Sequence, residues 1–159
     1  MRITAGEARI DIRIPGAGPS LVLLPSLGRS STDLDPFAGR LVTAGYRTVL
    51  PEPCGPGANT GKLDGLTLHD LARDIAAAIE VTCIGPLTLV GHTFGNRTAR
   101  CPAADRPELV NLVVLLSSSR KVQTTPEIAE AIRLAQAIDT PSDVRADAVG
   151  RRGSRLAVT

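Results

Sequence analysis

A chain of 159 residues, 43% of them hydrophobic, can hold one domain with a sizeable core and is too short to argue for two. A formal net charge of +2 and an aromatic content of 2% exclude the basic footprint and stacking platforms of a nucleic-acid domain. No apolar run approaches a bilayer-crossing length, and Cys54, Cys83 and Cys101, an odd set without CxxC spacing, follow an N-terminus that lacks signal-peptide character, so a reduced cytoplasmic protein without a membrane segment is expected.

The chain opens on an alternation: Ile10, Ile12 and Ile14 point one way and Asp11 and Arg13 the other, the period of a half-buried strand. Pro15, Gly16 and Gly18 then force a turn. Four apolar runs without alternation follow, at 21–24, 48–50, 87–90 and 112–116. Such runs suit strands buried on both faces of a parallel sheet.

Helical spacing fills the intervals between them. Pro36 to Ala44 predicts one helix, ended by Gly45. A second, from Thr67 to about Cys83, carries Leu68, Leu71, Ile75 and Ile79 on one face, with Thr67 as cap and Asp70 where a capping box wants a carboxylate. A third begins near Gly95 and stops before Pro107, with Pro102 inside it as a potential kink. Strand alternating with helix gives the fold class: α/β, a doubly wound, mostly parallel sheet with helices on both faces. Pro126 to Ile138 is a further amphipathic stretch, outside the sheet layers or starting a cap. From about Thr140 the pattern is lost among scattered arginines, which divides the chain into a domain over 1–139 and an irregular tail over 140–159.

The chemistry concentrates at residues 87–96, where a buried strand runs into Gly91-His92-Thr93-Phe94-Gly95 and a helix follows. The two glycines let strand and helix approach closely around a tight turn, so the middle residue is pushed out above the strand ends. The Thr93 hydroxyl then lies near the free amides of a helix N-terminus, a setting that stabilises a developing oxyanion.

This pentapeptide resembles the Gly-His-Ser-x-Gly nucleophile elbow of the α/β-hydrolase superfamily. Residues 23–30 are similar to the strand and turn that carry that family's His-Gly-x motif. Residues 35–51 are similar to its first helix and next strand, and Cys54-Gly55-Pro56-Gly57 to the Gly-rich loop after them. Arg106 to Val110, leading into the run at Leu112, resembles the segment after the elbow helix. The resemblance covers residues 8 to 120, in the family's order, and the sheet it implies lacks the last strands.

Carried over by position, it places Thr93 as nucleophile and the backbone amides of Phe94 and Leu27 as oxyanion-hole donors, with Gly91, His92 and Gly95 forming the elbow. It implies no cofactor and no metal. The substrate it implies is a small uncharged molecule such as an ester, cleaved through an acyl-enzyme. Three departures bear on that reading. Pro25-Ser26 replaces the His-Gly pair, which a backbone donor tolerates. Threonine is β-branched, and such residues fit strained backbone angles badly. The chain's two histidines are His69 and His92, so none follows Thr93. A hydroxyl needs a base. His92, built into the turn, cannot easily reach back to Thr93, and His69 is read as a solvated surface residue. Asp105, Asp139, Asp143 and Asp147 are nominal acids with no histidine to orient.

A hydrolase-family member truncated after its sixth strand, with little or no activity, is therefore expected. The alternative is a non-catalytic module: if the sheet ends at the Leu112 strand, its long apolar edge favours self-association or pairing with a separate chain. Gly55 to Lys62 imitates a phosphate-binding loop, but Pro56 stands where the first Gly belongs and Leu63 where the hydroxyl belongs, so it reads as a surface loop.

Overall fold

The computed structural model describes residues 1–5, 8–52, 67–83, 85–118, 125–136, 141 and 143–144. They fall in two compact units, Met1–Ser118 and Ser119–Thr159. The first contains the sheet. Its opening hairpin joins β1 (Arg2–Ala5) to β2 (Ala8–Arg13) in antiparallel register, Arg2 opposite Asp11. The alternation of β2 decides its faces: Ile10 and Ile12 are buried, while Asp11 and Arg13 reach out to Arg2 and Asp35. β1, a short strand of mixed polarity, carries no such signal and was not anticipated.

β2 then pairs antiparallel with β4 (Arg47–Pro51), and β4 runs parallel to β3 (Ser20–Leu24). β5 (Leu87–His92) lies parallel between β3 and β6 (Val110–Leu116). The order is β1-β2-β4-β3-β5-β6, a six-stranded, mostly parallel sheet that matches the expected fold class.

The helices cover both faces because the apolar runs feed both. Val22, Leu24, Val49, Leu87 and Leu89 pack on one side with Ile75 and Ile79 of α2 (Leu68–Thr82) and Ala99 of α3 (Gly95–Asp105). Leu23, Leu50 and Val90 pack on the other with Ala38 and Phe37 of α1 (Asp35–Thr43). The capping box of α2 forms as its sequence indicates: the Thr67 hydroxyl accepts from the Asp70 amide and the Asp70 carboxylate accepts from the Thr67 amide. Pro102 is fully buried inside α3 and does not shorten it.

One expectation needs correcting. The run at 112–116 forms a strand, but not one buried on both faces: Leu112 is 56% exposed and Val113 to Leu116 are half-buried, because among the described residues β6 pairs with β5 alone. The second unit contributes α4 (Pro126–Gln136), where a helix was expected. Cys54, the Gly-rich loop, the 55–62 stretch and most of the tail lie outside the described residues. Among the described residues no helix is long and apolar enough to cross a membrane.

Candidate functional site

β5 sits between β3 and β6, so its C-terminal end opens at the middle of the parallel strands. Its last pairs are Gly91 with Leu24 on one side and His92 with Leu116 on the other. The chain must then reverse into α3 within two residues. Thr93 takes that bend with φ of 51°, in the left-handed region that a β-branched residue enters only when its surroundings hold it there. Two backbone bonds do so: the Thr93 N–H donates to Leu116 O at 3.0 Å, and the Thr93 carbonyl accepts from the Asn96 N–H at 3.1 Å.

Only glycine fits on either side of the bend. A Cβ on Gly91 would meet the Gly95 carbonyl oxygen at 2.4 Å, and one on Gly95 would meet the Leu24 carbonyl oxygen at 2.2 Å. The end of β3, the turn and the first residue of α3 are therefore in direct backbone contact.

That contact brings in the loop after β3. Pro25 is buried, Ser26 half-buried and Leu27 47% exposed. Gly28, with φ of 67°, completes the turn, and the Arg29 N–H donates to Ser26 O. The Thr93 hydroxyl donates to the Ser26 hydroxyl across this junction. Ser26, Leu27, Gly28 and Phe94 line one small pocket of about 90 Å³, whose remaining wall includes Leu24, Leu71 and Ile75. Neither the Leu27 nor the Phe94 N–H has a hydrogen-bond partner among the described residues, whereas that of Thr93 is taken by Leu116. Chemically, the arrangement offers two unspent amide donors on a largely apolar pocket, with the Thr93 hydroxyl bonded to Ser26 on its wall.

The far end of the loop is anchored. Oε2 of Glu52, just after β4, accepts from the Ser31 N–H (3.0 Å), the Ser31 hydroxyl (2.5 Å) and the Ser30 hydroxyl (3.1 Å). Arg13 donates to the Ser31 hydroxyl at 3.1 Å and to Asp35 at 2.6 Å. Ser31 is fully buried, so this network ties the loop to β2 and β4 from within.

His92 closes β5, half-buried and paired through its backbone with Leu116. His69 is exposed, as read, yet not simply solvated: its Nδ1 lies 2.7 Å from Oδ2 of Asp105. Asp105, expected to have no histidine to orient, thus has one. The pair joins the start of α2 to the end of α3, and the length of α3, about 15 Å at 1.5 Å per residue, separates it from the Thr93 turn. Nearby, burial first and the Asp105 charge second push the Cys101 thiol above its ordinary pKa. No group of three His, Cys, Asp or Glu that could hold a metal occurs among the described residues.

Three residues at the site went unread in the sequence. Ser26 was noted only as a replacement, because nothing in the chain announces a partner 67 residues away. Glu52 stands one residue past the end of β4 and belongs to no motif that would mark it. Asn96, 4% exposed, donates from Nδ2 to Leu116 O at 3.0 Å and so locks the turn to β6. An amide in the first turn of a helix directly after the second glycine was the available clue.

Comparison with known proteins agrees with this architecture. A family model described as alpha/beta hydrolase fold matches residues 19–156. Pyrrolizixenacetamide deacetylase of Xenorhabdus hominickii is 30% identical over 125 residues, which are 77% of this chain and 47% of that protein. The 2-(acetamidomethylene)succinate hydrolase of Mesorhizobium japonicum is 28% identical over 123 residues, 77% of this chain and 44% of the relative. The crystal structure of an E-2-(acetamidomethylene)succinate hydrolase superposes with a TM-score of 0.74 at 28% identity, over 84% of this chain and 49% of the other. The chain spans about half the length of the curated relatives it matches. It belongs to the alpha/beta hydrolase fold family.

Proposed function

We propose that this member of the alpha/beta hydrolase fold family carries the nucleophile half of an ester-type hydrolase site, with Thr93 at the nucleophile position and the amides of Phe94 and Leu27 as oxyanion donors. The observation that carries the reading is the left-handed φ of 51° at Thr93, held by two backbone bonds so that its hydroxyl meets the loop bearing Leu27. A β-branched residue at such an angle costs of order 1–3 kcal/mol, and that cost makes sense where the hydroxyl it presents has work to do. The elbow is then Gly91, His92 and Gly95 around Thr93.

The substrate is a small uncharged acyl compound, suited to the narrow and largely apolar pocket. Two relatives are named for acetamide-bearing compounds, which puts N-acyl bonds beside esters in the assay panel. Neither histidine supplies a base: His69 is engaged at the far end of α3, and His92, the chain neighbour of Thr93, is the last residue of β5. These 159 residues therefore turn over substrate slowly or not at all by themselves. Hydrolysis of p-nitrophenyl acetate and p-nitroacetanilide by the wild type, Thr93→Ala and Thr93→Ser tests this. A slow wild-type rate that vanishes in Thr93→Ala and rises in Thr93→Ser is expected; equal rates above the uncatalysed background in wild type and Thr93→Ala would remove Thr93 from the mechanism.

A second reading is favoured by Leu112, an exposed leucine on a strand that lies at the sheet edge among the described residues. In it the chain is a non-catalytic module that associates through β6. Light scattering on a gel-filtration column decides: a clean monomer across the micromolar range would count against it.

A further inference from the structure

The backbone of Thr93 is clamped at both its N–H and its carbonyl, so the conformational freedom left at this residue is rotation about χ1. That rotation matters more for threonine than for serine. Its Cβ bears a hydroxyl and a methyl, and one staggered step puts the methyl where the hydroxyl stood. Ser26, which meets the hydroxyl, lines the pocket with Leu24, Leu27 and Phe94. Without that partner, nothing holds the hydroxyl in its place against the methyl.

The bond from Thr93 Oγ1 to Ser26 Oγ opposes that rotation. Ser26 is itself held in place. Its carbonyl closes the loop turn with Arg29, and Glu52 grips Ser30 and Ser31 a few residues on. We propose that Ser26 is a positioning residue, a rotamer latch that selects the hydroxyl branch of Thr93 over the methyl branch. Positions 26 and 93 form a matched pair: a nucleophile with a competing methyl requires a latch, and a serine nucleophile, with no second heavy atom on Cβ, requires it much less. The inference rests on reading Thr93 as the nucleophile position, and the experiment separates the two.

The first measurement needs no reaction. In protein uniformly labelled with 13C and 15N, three-bond couplings from Thr93 Cγ2 to its backbone nitrogen and carbonyl carbon report χ1. One rotamer is expected in the wild type and averaging in Ser26→Ala, with one rotamer restored in Ser26→Thr, which keeps a hydroxyl. Averaged couplings in the wild type, or a single unchanged rotamer in Ser26→Ala, overturn the latch.

The second measurement is labelling by an alkyl fluorophosphonate, followed by intact mass and peptide mapping. The Thr93 oxygen bonds to phosphorus, fluoride leaves, and the hydroxyl proton passes to solvent water. Ser26→Ala is expected to slow labelling at Thr93 about fivefold, the size of one neutral hydrogen bond, and less than about twofold when position 93 is serine. Equal slowing in both backgrounds overturns the proposal, because Ser26 would then act by a route that ignores the methyl. A rotamer latch seen by NMR without any adduct at residue 93 leaves the latch standing and removes the nucleophile reading.

Discussion

Two glycine-to-alanine substitutions should move stability in opposite directions. At Gly95 a new methyl would lie 2.2 Å from the Leu24 carbonyl oxygen and 2.8 Å from that of Pro25, both backbone atoms and both inside the 3.0 Å that real Cβ contacts respect. Neither can swing aside as a side chain would. The first turn of α3 and the end of β3 must therefore separate by nearly an ångström, in a core where overpacking costs about 1–3 kcal/mol and backbone clashes sit at the upper end. Replacing glycine in a helix returns under about 1 kcal/mol, so the net loss is about 2 kcal/mol. Gly39, exposed within α1, meets nothing within 4 Å, and there Gly39→Ala gains about 0.5–1 kcal/mol. At about 4 °C per kcal/mol for a unit of this size, thermal melting followed by circular dichroism should show Gly95→Ala down by about 8 °C and Gly39→Ala up by about 3 °C. The loss should extend to the site, since the same displacement moves Pro25 and Ser26. A Gly95→Ala protein that melts with the wild type would refute the claim that strand, turn and helix touch through their backbones.

Three further outcomes follow from other parts of the fold. Thr67→Ala removes one half of the capping box on α2 and should cost about 1 kcal/mol in urea unfolding, with Thr67→Ser restoring most of it. Cys101, its thiol pushed up by burial and by Asp105, should react with iodoacetamide at pH 8 more slowly in the folded protein than in urea, and Asp105→Asn should speed the folded reaction; no difference between folded and unfolded chain would contradict the raised pKa. The Arg106 hydrogen bond holds the Glu108 carboxyl below its ordinary range, so the stability it contributes is present above the unfolded carboxyl pKa, about 4.3, and disappears as pH falls through the lower folded value. Melting temperature measured from pH 6 to pH 3 should fall less steeply in Glu108→Gln, and an unchanged slope would show that the ion pair carries no linkage.

Much of the architecture was legible from periodicity. Ile10 and Ile12 against Asp11 and Arg13, the uninterrupted runs around Leu23, Leu50 and Leu89, and the Thr67–Asp70 cap are local patterns, set by the two-residue and 3.6-residue repeats of the backbone. The same holds for the Gly-x-Thr-x-Gly spacing at residues 91–95, which places a close turn between strand and helix before any coordinate is known. A run of apolar residues, however, reports burial only on average. The leucines and valines of β6 read like those of β5, and sheet order alone made β6 an edge among the described residues.

What the chain determined by itself is which segments, β1 apart, are strand and helix and where its one conspicuous turn falls. Tertiary structure decided which distant groups meet: Ser26 with Thr93, Glu52 with Ser30 and Ser31, His69 with Asp105. The reason is physical. Secondary structure is dictated by neighbours within a few residues, whereas these bonds join residues 21 to 67 apart, and their formation depends on strand order and on the packing of α2 against α3.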